Sequence, residues 1–233
     1  MKPSTGQGVV CLVNGSLRGT KASSLNFLNR VNRFLAAAGT RAALVSIKAN
    51  PSHSDLENML EIVNSAYAIV FAFPLFAFCL PGGLMRFLEE WDRYAGVHQS
   101  PRRARVYVIV NCGFFLPETN REAIQVIRNF CTRLGLEWRF ACSIGCGPAV
   151  LATAFIDVRL RKAMRGIAED ILAAASDPKD DLLLKPILPR IIIDAVRERL
   201  DRAFLKEVSS GICPTQLAAV RMDVGEHGRE ARH

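Results

Sequence analysis

The chain has 233 residues, of which half are hydrophobic and 22% charged, with a formal net charge of +8. That composition supplies a sizeable core and excludes global disorder, and the length fits one large domain or an ordinary domain with an extension. The seven cysteines are odd in number and not densely spaced, and MKPSTGQGVV does not read as a secretory leader, so the expectation is a cytoplasmic protein with reduced thiols rather than a disulfide framework.

Five short apolar runs alternate with helix-length segments. Val9–Val13 leads through a polar loop into a helix from about Ser24 to Ala38, whose Leu25, Leu28, Val31, Phe34 and Leu35 recur at helical spacing and which Gly39 stops. Ala42–Ile47 is the second run. It precedes a short helix from Asp55 to about Asn64, for which Ser54 or Asp55 is the expected cap. Ala68–Phe73 ends at Pro74, and a helix from Pro81 to about Tyr94 follows, since proline suits a first turn. On that helix Glu89, Glu90 and Asp92 sit with Arg86 and Arg93 at salt-bridge spacing. Arg105–Val110 ends in Asn111-Cys112-Gly113 before a helix from Glu118 to Leu134, stopped by Gly135. Trp138–Ile144 ends in Gly145-Cys146-Gly147-Pro148, and a helix from Ile156 to Ala174 closes the repeats.

Strands alternating with helices imply right-handed βαβ units and a parallel sheet covered on both faces. The reading is an α/β, flavodoxin-like, doubly wound sheet of five strands in the order 2-1-3-4-5, with ligands at the carboxyl ends of the strands. It occupies residues 1–175; a C-terminal helical extension over 176–222 and a tail over 223–233 follow. The extension carries an amphipathic helix from Pro189 to about Lys206, with Ile192, Ile193, Val196, Leu200 and Phe204 on one stripe. The uncharged stretch from Ile62 to Met85 is long enough for a membrane span, but Pro74, Pro81, Gly82 and Gly83 divide it into a strand, a loop and a helix start. Few aromatics lie among the basic residues, so no nucleic-acid partner is expected.

The loop after the first strand reads Asn14-Gly15-Ser16-Leu17-Arg18-Gly19-Thr20-Lys21-Ala22-Ser23-Ser24. A strand feeding a short loop and a helix start is an anion site, because the first helical N–H groups are unpaired and the dipole favours negative charge. A Walker loop fails here, since Thr20 replaces its second glycine and Ala22 its magnesium-binding hydroxyl; the dinucleotide pattern G-x-G-x-x-G is absent. A Ser/Arg loop for a single terminal phosphate remains. Elsewhere, Cys142 and Cys146 form a C-x3-C pair that is off-spacing for a redox disulfide and short of ligands for zinc, so no metal is expected. Cys11 and Cys112 read as small buried hydrophobes.

Asn14-Gly15-Ser16-Leu17-Arg18 with Ser23 resembles the phosphate loop of the NAD(P)H-dependent FMN reductase family of flavodoxin-like proteins. Pro74-Leu75-Phe76 followed by Pro81-Gly82-Gly83-Leu84-Met85-Arg86-Phe87 is similar to that family's second loop, and Asn111-x-Gly113 falls where its third flavin loop follows strand four. The likeness spans roughly residues 8 to 150. It departs from the related iron–sulfur flavoproteins, because KANPSHSD after the second strand has no cysteine, and no cluster is expected. The resemblance implies FMN as cofactor, its phosphate held by Ser16, Arg18, Thr20, Ser23 and Ser24. Pro74, Leu75, Phe76 and Phe78 would flank the ring, and Asn111, Cys112, Gly113 and Phe114 would approach its pyrimidine side. It further implies an oxidoreductase passing electrons from NAD(P)H, the co-substrate, to a small acceptor such as a quinone or flavin. A homodimer or homotetramer through the helix starting near Pro81 is implied as well. An electron carrier or flavin-binding module without turnover, and a flavin-free descendant of the fold, are the alternatives.

Overall fold

A computed structural model of the chain describes residues 9–98, 103–146, 157–174, 177 and 179–185. The chain divides into two compact units, Met1–Pro186 and Ile187–His233, and every described residue belongs to the first. The expected helix from Pro189 and the tail from 223 lie outside the described residues, as does the end of the fifth loop at Gly147-Pro148.

The strands are β1 (Val9–Asn14), β2 (Ala42–Ser46), β3 (Ala66–Pro74), β4 (Arg105–Asn111), β5 (Glu137–Ile144) and β6 (Leu182–Leu184). The helices are α1 (Ser23–Ala37), α2 (His53–Asn64), α3 (Gly82–His98), α4 (Arg121–Leu134) and α5 (Asp157–Ala173). All strand pairs are parallel, in the order β2-β1-β3-β4-β5-β6. The sheet therefore has six strands where the sequence led us to expect five. Leu182-Leu183-Leu184 sits inside the stretch read as helical extension, and a run of three residues is too short to display strand periodicity. It is fixed instead by side chains: Asp181 accepts from the Ala141 N–H at 2.7 Å and from Arg128 at 2.9 Å. Beyond it, Lys185 pairs with Glu118 at 2.8 Å.

Near-continuous apolar strands bury both faces. Cys11, Val13, Phe71, Phe73, Val108 and Val110 face the layer of α2, α3 and α4 in one core cluster, while α1 and α5 cover the other face side by side. Trp91 ties the first layer together: fully buried, it stacks at a tilt against Phe71 and Phe130, and its indole N–H donates to Asn64 Oδ1 at 3.1 Å. The uncharged stretch from Ile62 to Met85 forms the end of α2, all of β3, a loop and the start of α3, and no described helix is long and apolar enough to cross a membrane. The cap of α2 is Ser52, whose hydroxyl accepts from the Asp55 N–H at 3.1 Å, and not Ser54 or Asp55. Ser52 is itself extended, with φ −65° and ψ 162°, the backbone that lets a cap side chain turn back onto the helix. On α3, Glu90 pairs with Arg93 at 2.6 Å, whereas Asp92 reaches Arg133 of α4 through two 2.7 Å bonds.

At the amino edge of the sheet lies a buried ionic cluster. A bulge in the β4–β5 register falls at Arg139, between the pairs Val106↔Trp138 and Tyr107↔Phe140. The extra residue turns the Arg139 side chain onto α5, where it donates to Asp170 at 3.0 and 3.2 Å. Tyr107 and Lys179 complete the carboxylate's partners at 2.8 and 2.7 Å.

Candidate functional site

The carboxyl ends of the strands lie level across the sheet: Asn14 pairs with Ser46 and Ala72, Pro74 with Asn111, and Asn111 with Ile144. Parallel pairing thus delivers the loops after β1, β3, β4 and β5 to one edge. They are laced together by backbone bonds, Gly15 N–H to Ala72 at 2.8 Å, Leu75 N–H to Asn111 at 2.7 Å, Cys112 N–H to Ile144 at 3.1 Å and Cys146 N–H to Phe114 at 2.7 Å.

Asn14 organises the first loop. Fully buried, it accepts through Oδ1 from the Ser16 N–H at 3.2 Å and from the Ser24 hydroxyl at 2.8 Å. The backbone donor fixes which amide atom is the oxygen. Its Nδ2 is buried without a partner, and unpaired buried donors are rare enough to need a reason. Ser16 is also buried, and its hydroxyl accepts from the Arg18 N–H at 3.3 Å. Arg18 and Thr20 are exposed on the turn Gly19–Lys21, and Ser23 is half-buried at the start of α1. No side chain caps that helix, so its first N–H groups remain available to an anion. Gly15 cannot carry a side chain, because a Cβ there would lie 2.9 Å from Phe73 Cβ and 2.8 Å from Leu84. The five phosphate-loop residues are therefore brought together, but in two tiers. Arg18, Thr20 and Ser23 face outward, while Ser16 and Ser24 are buried beneath and brace the loop through Asn14.

The second loop is a tight turn. Phe76 and Cys79 exchange both backbone bonds at 2.9 Å, with Ala77 at φ 47° and Phe78 at φ 60°. Two consecutive non-glycine residues in the left-handed region cost about 1–3 kcal/mol each and characteristically occur at binding sites. The turn lifts Phe76, 67% exposed, and Phe78, 44% exposed, off the sheet, while Pro74 and Leu75 stay half-buried at its base. Phe78 stacks on Phe114 of the third loop, with ring centroids 5.5 Å apart and planes 18° from parallel.

In that third loop Asn111 is buried and its Oδ1 has no partner. Cys112 is buried as well; burial pushes its thiol up to about 11, and it lies 3.4 Å from the Phe114 carbonyl oxygen. Gly113 and Phe114 are exposed. Gly145 below them has no room for a Cβ, which would meet the Phe115 carbonyl. Cys146 also adopts a positive φ, 49°, and burial raises its thiol. Cys142, wholly buried, is pushed up to about 12. These values make the site cysteines neutral packing groups at physiological pH.

Sequence reading passed over Asn14 as a site residue, although an Asn ending an apolar strand before Gly is itself a signal, since only a buried polar role suits it there. Leu17 and Phe115, both exposed beside the loops, carried no such signal.

A parallel α/β sheet with its strand ends, an open helix start and exposed aromatics on one edge is the architecture of the doubly wound class. No family model and no curated protein matches the chain. Solved structures do. An apo NADH:FMN oxidoreductase superposes with a TM-score of 0.57 and 13% identity, over 74% of this chain and 92% of that one. The Trp repressor binding protein of Bacillus subtilis gives 0.51 and 16%, over 68% and 96%. A flavodoxin of Streptococcus pneumonia gives 0.51 and 14%, over 72% and 99%. At such identities the likeness is one of fold, and the fold is flavodoxin-like.

Proposed function

We propose that the chain binds FMN at the carboxyl edge of its sheet and is an oxidoreductase that passes electrons from NAD(P)H to a small acceptor such as a quinone or free flavin. The observation that carries this reading is a coincidence on one edge. An uncapped helix start beside Ser16 and Arg18 adjoins two loops that display phenylalanines, and Asn14 and Asn111 at the strand ends each bury an unpaired polar atom. The fit to FMN in particular rests on those orphaned atoms. Asn111 Oδ1 is an acceptor suited to an imide N–H, and Asn14 Nδ2 is a donor within the loop that suits a phosphate. Likeness of fold to an NADH:FMN oxidoreductase supports the same reading.

Bound FMN would supply the hydride and single-electron chemistry that no side chain here can. The chain's residues bind and orient. Arg18, Thr20 and Ser23, with the first N–H groups of α1, hold the phosphate dianion. Ser16 and Ser24 contribute by fixing the loop on Asn14. Pro74, Leu75, Phe76 and Phe78 flank the ring, and Phe114 with Asn111, Cys112 and Gly113 lines its pyrimidine side. Seating a ring in this region requires the Phe78–Phe114 stack to open or to serve as one wall. The apolar wall excludes water, which strengthens every polar contact made inside it. No side chain in the site is required as a general acid or base.

The test is reconstitution. Addition of FMN is expected to give a yellow protein with a raised melting temperature, and anaerobic NADH or NADPH is expected to bleach it rapidly. A colourless protein whose melting temperature ignores FMN overturns the reading. A yellow protein that neither nicotinamide bleaches is an electron carrier instead.

A further inference from the structure

Beneath the third loop lies a small polar cluster that the proposed flavin contacts leave unused. Val108 and Val110 of β4 and Ala141 of β5 face the layer of α4. Side chains alternate along a strand, so Cys112 and Ser143 fall on that same face. Toward the carboxyl edge the packing there turns polar. Ser143 and Asn120 are both fully buried. The Ser143 hydroxyl donates to the Pro117 carbonyl, and its oxygen accepts from Asn120 Nδ2 at 2.9 Å. A hydroxyl has one proton and Pro117 takes it, so the Asn120 atom that faces Ser143 is the amide nitrogen. Asn120 Oδ1 is thereby the atom left buried without a partner.

Asn120 forgoes an easier role. It stands at the amino cap of α4, where an asparagine side chain ordinarily accepts from the first N–H groups of its own helix, yet it makes no cap bond. Its amide reaches across to β5 instead, 23 residues away in sequence. Stability does not account for that choice, because two apolar side chains of the same shape would fill the space without loss. What the cluster supplies is a grip on backbone. The turn Pro117–Asn120 closes the third loop, and two of that segment's carbonyls are held from the sheet side. Ser143 holds that of Pro117, while the Cys146 N–H at 2.7 Å and the Cys112 thiol at 3.4 Å hold that of Phe114. The Phe115 carbonyl lies against Gly145, with no room for a Cβ between them. With the backbone seated this way, the rings of Phe114 and Phe115 stand exposed.

We propose that Ser143 and Asn120 are positioning residues, which hold the third loop against the end of β5 in the shape in which Gly113 and Phe114 meet the flavin ring. The inference rests on the flavin reading of the site and adds to it two residues that touch no ligand. Ser143 is the pin, since its hydroxyl joins the first and last residues of the turn. Asn120 orients that hydroxyl by occupying its oxygen and leaving the proton to Pro117. A loop held in place before the ring arrives has less freedom to lose on binding, which strengthens the complex without a further contact.

The experiment compares the full chain with Ser143→Ala. Without added flavin, amide hydrogen exchange at Cys146, whose N–H bonds Phe114, is expected to accelerate about tenfold in the variant, while the amides of β1 and β3 stay protected. FMN affinity, followed by flavin fluorescence, is expected to fall about tenfold. A residue that acts through the loop it holds is coupled to that loop's own contacts, whereas a merely structural residue adds its loss to theirs. Ser143→Ala should therefore cost little further affinity in a Phe114→Ala background. Asn64→Ala takes the acceptor from the Trp91 indole in the same layer; it should lower the melting temperature and change neither Cys146 exchange nor FMN affinity. In a chain that binds FMN, unchanged exchange at Cys146 or additive losses with Phe114→Ala overturn the positioning alone. A parent chain that binds no FMN overturns the flavin reading, and the role toward the ring falls with it. If Ser143→Ala does not fold, Asn120→Ala takes its place with the same expectations.

Discussion

In the proposed FMN site, Asn14 separates the residues of the first loop that would touch the phosphate from those that hold the loop. Its Oδ1 gathers the Ser16 N–H and the Ser24 hydroxyl, so those two serines are occupied from below, while Arg18 stands in solvent with its guanidinium free to reorient. Substituting Arg18→Ala should therefore weaken FMN binding by about tenfold to a hundredfold, the value of a charge-assisted bond, and leave the melting temperature of the free protein unchanged. Titration followed by flavin fluorescence measures the first, and unaltered affinity would move the phosphate elsewhere. Asn14→Ala should act differently. It leaves the Ser16 N–H and the Ser24 hydroxyl buried without an acceptor, at a cost of about 1–3 kcal/mol, so both the melting temperature and FMN affinity should fall together.

At the level of elements, the sequence shows most clearly what is periodic. The five long strands and the helices α1 to α5 announce themselves by apolar runs, by helical spacing and by stops such as Gly39 and Gly135, which adopt φ 75° and 68°. What it hides is held by single long-range contacts. The strand β6 exists because Asp181 supplies an acceptor for Ala141 and a partner for Arg128, forty and fifty-three residues away. No local pattern records that. The same holds in the candidate site, where the motifs placed Phe76 and Phe78 in a loop but not the positive φ that lifts Phe78, and named Asn111 but not the buried, unpaired Oδ1 it presents. Asp181→Ala should detach β6 without unfolding the sheet. Hydrogen exchange at Cys142 and Ile144, whose strand pairs with Leu182–Leu184, is expected to accelerate while β1 and β3 stay protected. Unchanged protection along β5 would show that β6 needs no such pin.

Across the whole molecule the two edges of the sheet have opposite characters. The carboxyl edge buries Asn14 Nδ2 and Asn111 Oδ1 without partners, while the amino edge surrounds a buried carboxylate with donors. That second arrangement governs acid stability. Burial disfavours the charge on Asp170, but hydrogen bonds from Arg139, Lys179 and Tyr107 outweigh it and hold the carboxyl at about 2. An unfolded Asp titrates near 3.9. With the folded value below the unfolded one, the network's contribution is fully present above about pH 4 and is lost as the pH falls toward 2. The shift corresponds to about 2 kcal/mol. Chemical denaturation between pH 5 and 2 should therefore show a loss of that order beyond what the exposed carboxylates produce. Asp170→Asn should remove this acid step. It should also lower stability at neutral pH by about 3 kcal/mol, since Arg139 then loses its buried counter-charge and keeps only the half-exposed Glu137 at 3.0 Å. A variant that is as stable as the parent at pH 7, or that keeps the same acid loss, would place the stabilising charge elsewhere than at Asp170.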